Sequence, residues 1–144
     1  MSPTSAARFM RITAIISIIT GILFALAVVA DPTGLTDYFF QLVSSGDQGL
    51  AGIATPEAKV ALAIAGGLFA GFSAFFLFLV APAIEAYDTR MIRGGQISLL
   101  VWFVTDSTAS IAGGNTANAV ANVGFLVLFM LPMALVKAPE VQAS

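Results

Sequence analysis

The fold of this chain is decided by residues 60–84, which read VALAIAGGLFAGFSAFFLFLVAPAI and contain no Asp, Glu, Lys or Arg. An α-helix of about 20 apolar residues is long enough to cross the hydrocarbon core of a bilayer. Three further stretches are equally free of charge, at residues 12–30, 94–105 and 107–136. The last is too long for one crossing, and Gly113-Gly114-Asn115 provides a turn within it. The pattern predicts an all-α bundle of four membrane-spanning helices, at about residues 10–30, 57–84, 94–112 and 116–136.

The composition agrees with a membrane protein. Of the 144 residues, 58% are hydrophobic and 10% are charged, and the mean hydropathy is +0.96. Soluble domains carry about 25% charged residues, so this composition is typical of a membrane protein and not of a soluble one. A net charge of −2, scattered along the sequence, does not indicate binding to nucleic acid. We predict a single transmembrane domain over residues 1–144 whose main partner is lipid.

The residue types that are missing exclude several kinds of chemistry. The chain has no His and no Cys, so the usual ligands of haem, iron–sulfur clusters and most transition metals are absent. Lys59 and Lys137 both lie at predicted helix ends, where neither can form a Schiff base with a buried chromophore. No serine lies in a G-x-S-x-G elbow with a histidine base. We therefore predict no metal, no cofactor and no enzymatic activity.

The first apolar run has two possible interpretations. Arg8 and Arg11 precede it, and it ends at Val28-Val29-Ala30, which resembles a signal-peptidase site. Signal peptides have apolar regions of about 7–15 residues, and the run over 12–30 is longer. A retained first helix is therefore the prediction, and cleavage after Ala30 is the alternative.

The connection to the second span begins at Asp31-Pro32-Thr33-Gly34, where proline and glycine end the helix. A short amphipathic helix follows, whose apolar residues recur at helical spacing: Leu35, Tyr38, Phe39, Leu42 and Val43. This segment either lies flat on the membrane interface or forms a lid over the mouth of the bundle. Thr55 as N-cap, Pro56 in the first turn and Glu57 at the positive helix end then begin the second span.

Rows of small residues predict which helices pack together. Such rows let two helix backbones approach closely in lipid. One row lies on the second span and another on the first, comprising Ala63, Gly67 and Gly71, and Ser17, Gly21 and Ala25. These two spans are predicted to be neighbours within the bundle, and a homodimer interface is the alternative.

The basic residues predict the orientation. Arg8, Arg11, Arg90, Arg93 and Lys137 fall on one side of the predicted spans, and Lys59 falls on the other. Because Lys and Arg are retained in the cytoplasm, both termini and the loop at residues 85–93 are predicted to be cytoplasmic. The connection that carries Asp31, Asp37 and Asp47 then faces the periplasm of a bacterial inner membrane.

Asp106 is the one acid inside a predicted span, and it marks the candidate site. In a hairpin that turns near Gly114, the residue level with Asp106 is close to Asn122. We predict that the amides of Asn118 and Asn122 donate to the Asp106 carboxylate, with Ser110 and Thr105 nearby. Trp102 lies one turn deeper on the same helix face and is predicted to form the floor of a polar pocket.

This polar group has a structural and a functional interpretation. As a clasp, it would fix the register of the third and fourth spans, at about 1 kcal/mol for each hydrogen bond. As a functional site, it would bind a proton or a ligand, because intramembrane acids commonly mark conduction paths. The absence of a second acid further along argues against a proton wire.

Two groups of motifs resemble known families. Gly21-Ile22-Leu23-Phe24, Asp31-Pro32-x-Gly34 and Gly66-Gly67-Leu68 resemble the layout of DoxX-like four-helix bacterial membrane proteins. The stretch Trp102-Phe103-x-x-Asp106-Ser107 with Asn118 and Asn122 is similar to uncharacterised four-helix inner-membrane proteins of proteobacteria. A DoxX-like relationship implies association with membrane redox enzymes or with quinone metabolism.

Three functions follow from these observations. The first is an accessory or assembly subunit, which would bind other membrane subunits or a second copy of itself. The second is a small transporter or channel component that uses Asp106, Asn118, Asn122 and Trp102. The third is a protein that binds a quinone or a lipid. The scarcity of reactive groups favours the first.

Overall fold

The computed structural model describes residues 1–44 and 48–138, and within these ranges every regular element is helical. We label the α-helices in chain order. A single turn of 3₁₀ helix, Gly49–Gly52, lies between α2 and α3. The bounds are α1 Pro3–Leu26, α2 Leu35–Val43, α3 Pro56–Glu85, α4 Thr89–Ala112 and α5 Thr116–Leu135.

Three helices in the described ranges are long and apolar enough to cross a membrane, namely α1, α3 and α5. The helix α4 has the same length as α1, 24 residues, but is not one of these three. Its mean hydropathy is lowered by polar and charged residues along its length, among them Arg90, Arg93, Gln96 and Asp106. The predicted bounds shift most in α1, which extends from Pro3 to Leu26 rather than over residues 10–30.

The predicted pairing of the first two spans is confirmed, but the residues on α3 that make the contact differ from those predicted. A Cβ on Gly21 would lie 2.7 Å from the Gly66 carbonyl oxygen, and a Cβ on Gly66 would lie 2.5 Å from the Ala25 nitrogen. Gly67 and Gly71 are exposed with open space around them, and Ala63 is only half-buried. The predicted row on α3 was therefore wrong, because the packed face lies one residue earlier, at Gly66 and Ala70.

Both ends of α3 lie within one residue of the predicted span 57–84. The Thr55 hydroxyl accepts a hydrogen bond from the Ala58 amide at 3.2 Å, as expected of an N-cap. The helix continues past Pro82 and ends at Glu85. A π-helical turn at Phe76–Val80 lies just before this proline, and the Ala81 amide donates to the Phe76 carbonyl. The wider turn accommodates a residue that has no amide hydrogen to donate.

The half of the bundle nearest the termini has a closely packed core. Arg11 of α1 forms a salt bridge with Glu85 at the end of α3. The N-terminal ammonium donates to the Leu135 carbonyl at 2.5 Å, and the Lys137 amide donates to the Met1 carbonyl at 3.0 Å. The largest fully buried side chains of this half come from four helices: Met10, Phe76, Val80, Ile84, Leu99 and Phe129.

The helix α2 lies over the opposite end of the bundle. Its predicted apolar face is divided, because Phe39 and Val43 face the bundle together with Phe40. Leu35, Tyr38 and Leu42 point away and are 58%, 60% and 58% exposed. The lid interpretation fits the inward face, and the outward apolar residues suit a position at the membrane interface.

Two acids of this connection have structural roles. The Asp31 carboxylate accepts from the Asp37 amide at 2.9 Å, and the Asp37 carboxylate accepts from the Leu50 amide at 2.7 Å. Asp37 also accepts from the Gln41 side chain at 2.8 Å. These bonds tie α2 to the turns on both sides of it. The third predicted acid, Asp47, lies outside the described residues.

Candidate functional site

A cavity of about 340 Å³ lies beneath α2, at the end of the bundle opposite the termini. All five α-helices contribute to its wall, from Phe24 near the end of α1 to Phe125 in the middle of α5. This volume is within the range of about 300–1,000 Å³ that is typical of small-molecule sites. The bundle therefore has a packed half and a hollow half.

Asp106 is at the centre of a hydrogen-bonded group on the wall between α4 and α5. Its Oδ2 accepts from the Asn122 amide at 2.5 Å and from the Asn118 amide at 3.4 Å. The second contact is long for a hydrogen bond and contributes less. Both predicted donors are thus in place, and Asn122 is only 4% exposed.

Two serines complete this group. The Asn118 amide donates to the Ser110 hydroxyl at 2.8 Å, and the Asn122 amide donates to the Ser107 hydroxyl at 3.3 Å. Ser110 was predicted to be near Asp106, whereas Ser107 was not. Thr105, the other predicted neighbour, is exposed on the outer face of α4. The reason is helical geometry, since Thr105 lies about 100° around the helix from Asp106.

The orientation of both amides follows from chemistry. A carboxylate oxygen accepts and only the nitrogen of an amide side chain donates, so each asparagine presents its NH₂ group to Asp106 Oδ2. Because each NH₂ group also bonds to a serine, the amide hydrogens are all engaged. The other carboxylate oxygen, Asp106 Oδ1, accepts no hydrogen bond from the described residues. An acceptor without a donor therefore remains at the edge of the cavity.

Aromatic rings form most of the remaining wall. Trp102 lines the cavity as predicted and contacts Phe72, with ring centroids 6.2 Å apart. Above it, Phe24 of α1 packs against Phe39 of α2 with a centroid distance of 4.9 Å. Phe69 of α3 and Phe125 of α5 meet edge to face at 5.1 Å. The cavity thus combines one polar wall with several aromatic ones.

None of these phenylalanines was predicted from the sequence to line the site. The sequence of α5 does indicate that Phe125 faces the site. Asn115, Asn118, Asn122 and Phe125 follow one another at spacings of three and four, which places them on one face of the helix. For Phe24 and Phe39 no comparable signal exists, since their approach depends on how the connection at residues 31–34 folds back.

The chemistry of the lining limits what the site can do. In the described part of the chain, no group of three or more His, Cys, Asp or Glu residues is placed to hold a metal ion. Asp106 has no histidine, cysteine or lysine beside it that could act as a partner in covalent or acid–base catalysis. The arrangement is suited to binding a molecule that has a polar end and an apolar body.

Comparisons with known proteins were made at three levels. The chain matches no protein-family model, no curated protein and no solved structure. The resemblance to DoxX-like proteins consequently rests on the sequence motifs alone.

Proposed function

We propose that this chain is a non-catalytic inner-membrane protein that crosses the bilayer four times and binds a small amphiphilic molecule in the Asp106 cavity. The observation that carries the proposal is the cavity itself, with its single polar wall beneath the lid α2. Membrane helices normally fill such a space with side chains or lipid, so a hollow half with a polar group inside indicates an occupant.

The outward face of α4 supports a fourth crossing. Its large exposed hydrophobic side chains are Met91, Ile97, Leu100, Val101, Val104 and Ile111. Of its polar residues, Ser107 is buried and Gln96 and Asp106 are half-buried, and those exposed in the same part of the helix, Thr105 and Thr108, are uncharged. A helix that is apolar outside and polar inside is suited to lipid, although its mean hydropathy is lower than that of α1, α3 and α5.

The distribution of charge supports cytoplasmic termini. Arg8, Arg11, Arg90, Arg93 and Lys137 all lie at the packed end, beside the Arg11–Glu85 salt bridge. The hollow end carries Lys59 and the acids Asp31 and Asp37. By the positive-inside rule the cavity then opens toward the periplasmic face.

The packed half argues for binding rather than conduction. A channel or carrier needs a continuous path, and the core around Met10, Phe76 and Phe129 fills the bundle between the cavity and the termini.

Native mass spectrometry tests the proposal. The wild-type protein, released from membranes in mild detergent, is expected to retain a small molecule. Ala65→Phe places a ring in the cavity and is expected to lose that molecule with its Tm unchanged, because Ala65 lines the cavity. Ile64→Phe is the matched control, since Ile64 is 56% exposed on the outer face. Equal retention by both variants contradicts a ligand in this cavity.

The second candidate function is an accessory subunit, and one observation favours it. Gly67 and Gly71 form an exposed row on α3 with open space beside them, which is the arrangement that lets a further helix approach closely. Co-purification in mild detergent tests this proposal. A partner subunit or a second copy should be present in fixed stoichiometry and should be lost in Gly67→Ile.

A further inference from the structure

We propose that the cavity binds a lipophilic organic cation, an amine or quaternary ammonium compound with an apolar body. This inference rests on the proposed ligand-binding function and narrows its ligand to one chemical class. The juxtaposition of an unpaired carboxylate oxygen with several aromatic rings, in a cavity whose described lining contains no basic side chain, carries the inference.

The first argument concerns charge. Asp106 is the one charged side chain among the described residues that line the cavity. None of the six Lys and Arg residues lines the cavity: Lys59, at the same end of the bundle, is exposed at the start of α3, and Arg11 is paired with Glu85 at the opposite end. A carboxylate in a low-dielectric site is stabilised by a counter-charge, and the protein does not provide one here. An occupant that carries a positive charge would provide this counter-charge, and an anionic molecule would be repelled.

The second argument concerns hydrogen bonding. A neutral quinone presents carbonyl oxygens and needs donors from the protein. Both amide groups already donate to Asp106 and to Ser107 or Ser110. On this wall Asp106 Oδ1 remains as an acceptor, and the donors that remain in the described lining are the Ser110 hydroxyl and the Trp102 indole N–H. An ammonium group, which donates hydrogen bonds or simply carries positive charge, complements this wall better than a carbonyl group does.

The third argument concerns the other walls. The faces of aromatic rings attract cations within about 6 Å of the ring centre, and tryptophan does so most strongly. Trp102 lies one helical turn from Asp106 on the same face of α4. The remaining rings of the lining come from four different helices: Phe24, Phe39, Phe40, Phe69 and Phe125. A carboxylate with aromatic walls favours a cation whose substituents are apolar.

The fluorescence of Trp102 provides a direct measurement, because Trp102 is the only tryptophan in the chain and lines the cavity. The wild-type protein in nanodiscs would be titrated with benzyltrimethylammonium and, separately, with neopentylbenzene, which has the same shape without the charge. We expect saturable binding of the cation at an affinity about tenfold or more above that of the neutral compound. Ubiquinone-1 and phenylacetate are the neutral quinone and the anionic probe.

Asp106→Asn should remove the preference for the cation, so that the affinities for benzyltrimethylammonium and neopentylbenzene become about equal. Glu57→Gln is the matched control, because Glu57 is an exposed acid at the start of α3 outside the cavity. If the Asp106 variant does not fold, as judged by size-exclusion chromatography, the affinities of the wild-type protein for the cation and for the neutral compound still test the cation assignment.

The outcomes separate the two proposals. Equal affinity for the cation and its neutral counterpart, or tighter binding of ubiquinone-1 or phenylacetate, overturns the cation assignment and leaves the ligand-binding function standing. Failure of all four probes to change the Trp102 emission also overturns the cation assignment. If Ala65→Phe in addition retains the same molecules as the wild type, the ligand-binding function fails as well.

Discussion

Asp106 links the structural and the functional interpretation of the site at the scale of single residues. Its Oδ2 accepts from two amides and holds α4 against α5, as a clasp would. Its Oδ1 accepts no hydrogen bond from the described residues and borders a cavity, which a clasp does not need. One carboxylate can serve both purposes because each oxygen has a separate environment.

Replacing Asp106 distinguishes the two purposes. Asp106→Asn keeps an acceptor for Asn122 and removes the charge. We therefore expect the free energy of unfolding, measured by thermal unfolding in detergent, to change by no more than about 1 kcal/mol. Asp106→Leu leaves both amides without their acceptor and is expected to cost about 1–3 kcal/mol. Thr105→Val, on the exposed side of α4, is the control and should have no effect. If Asp106→Asn keeps its stability but loses the ligand, Asp106 is more than a clasp.

At the scale of helices, the closest contact is that of α1 with α3. Gly21 and Gly66 lie so close that neither position has room for a methyl group. The packing of these two helices depends on this approach, since lipid offers no hydrophobic effect to hold them together.

Adjacent glycines on α3 make a matched pair of tests. Gly66→Ala should lower the free energy of unfolding by about 1–3 kcal/mol, because its Cβ would lie 2.5 Å from the Ala25 nitrogen. Gly67→Ala should be neutral or stabilising by up to about 1 kcal/mol, since that position has open space and alanine favours the helix. Chemical unfolding in mixed micelles measures both. Equal effects would contradict the helix pairing described here.

The lid α2 depends on Asp37, which accepts hydrogen bonds from the Leu50 amide and the Gln41 side chain. Asp37→Ala should release the lid, so hydrogen exchange of backbone amides over residues 35–44 and 48–52 should accelerate by about tenfold or more. Peptides from α1 and α5 should be unchanged. Tyr38→Ala, which alters an exposed neighbour, is the control. Protection that survives in Asp37→Ala would show that side-chain packing alone holds α2 in place.

At the scale of the whole molecule, the number of crossings can be measured directly. The chain has no cysteine, so single-cysteine variants can be labelled without background. We expect a membrane-impermeant maleimide added outside spheroplasts to label Thr33→Cys and not Thr89→Cys. After the membrane is permeabilised, both should react. Labelling of both positions from the outside would mean that α3 does not separate them, and the four-crossing proposal would fail.

Much of this architecture can be predicted from the sequence, and the polar wall most accurately. The spacing of Asn118 and Asn122 and the turn at Gly113-Gly114 place both amides opposite Asp106, because a tight hairpin fixes the register. The packed face of α3 could not be predicted, because Gly66 and Gly67 are adjacent and composition does not say which one faces α1. The aromatic lining depends on the path of the chain from Phe24 to Phe39, which no local pattern encodes.

The division into a packed half and a hollow half has a consequence for the surrounding bilayer. If the chain crosses the membrane as proposed, the two halves lie in different leaflets. Lipid composition or lateral pressure in the leaflet around α2 would then change the affinity of the cavity for its ligand. The same change in the other leaflet would act on the packed half, which has no cavity to alter. Ligand binding would therefore respond to changes in one leaflet only.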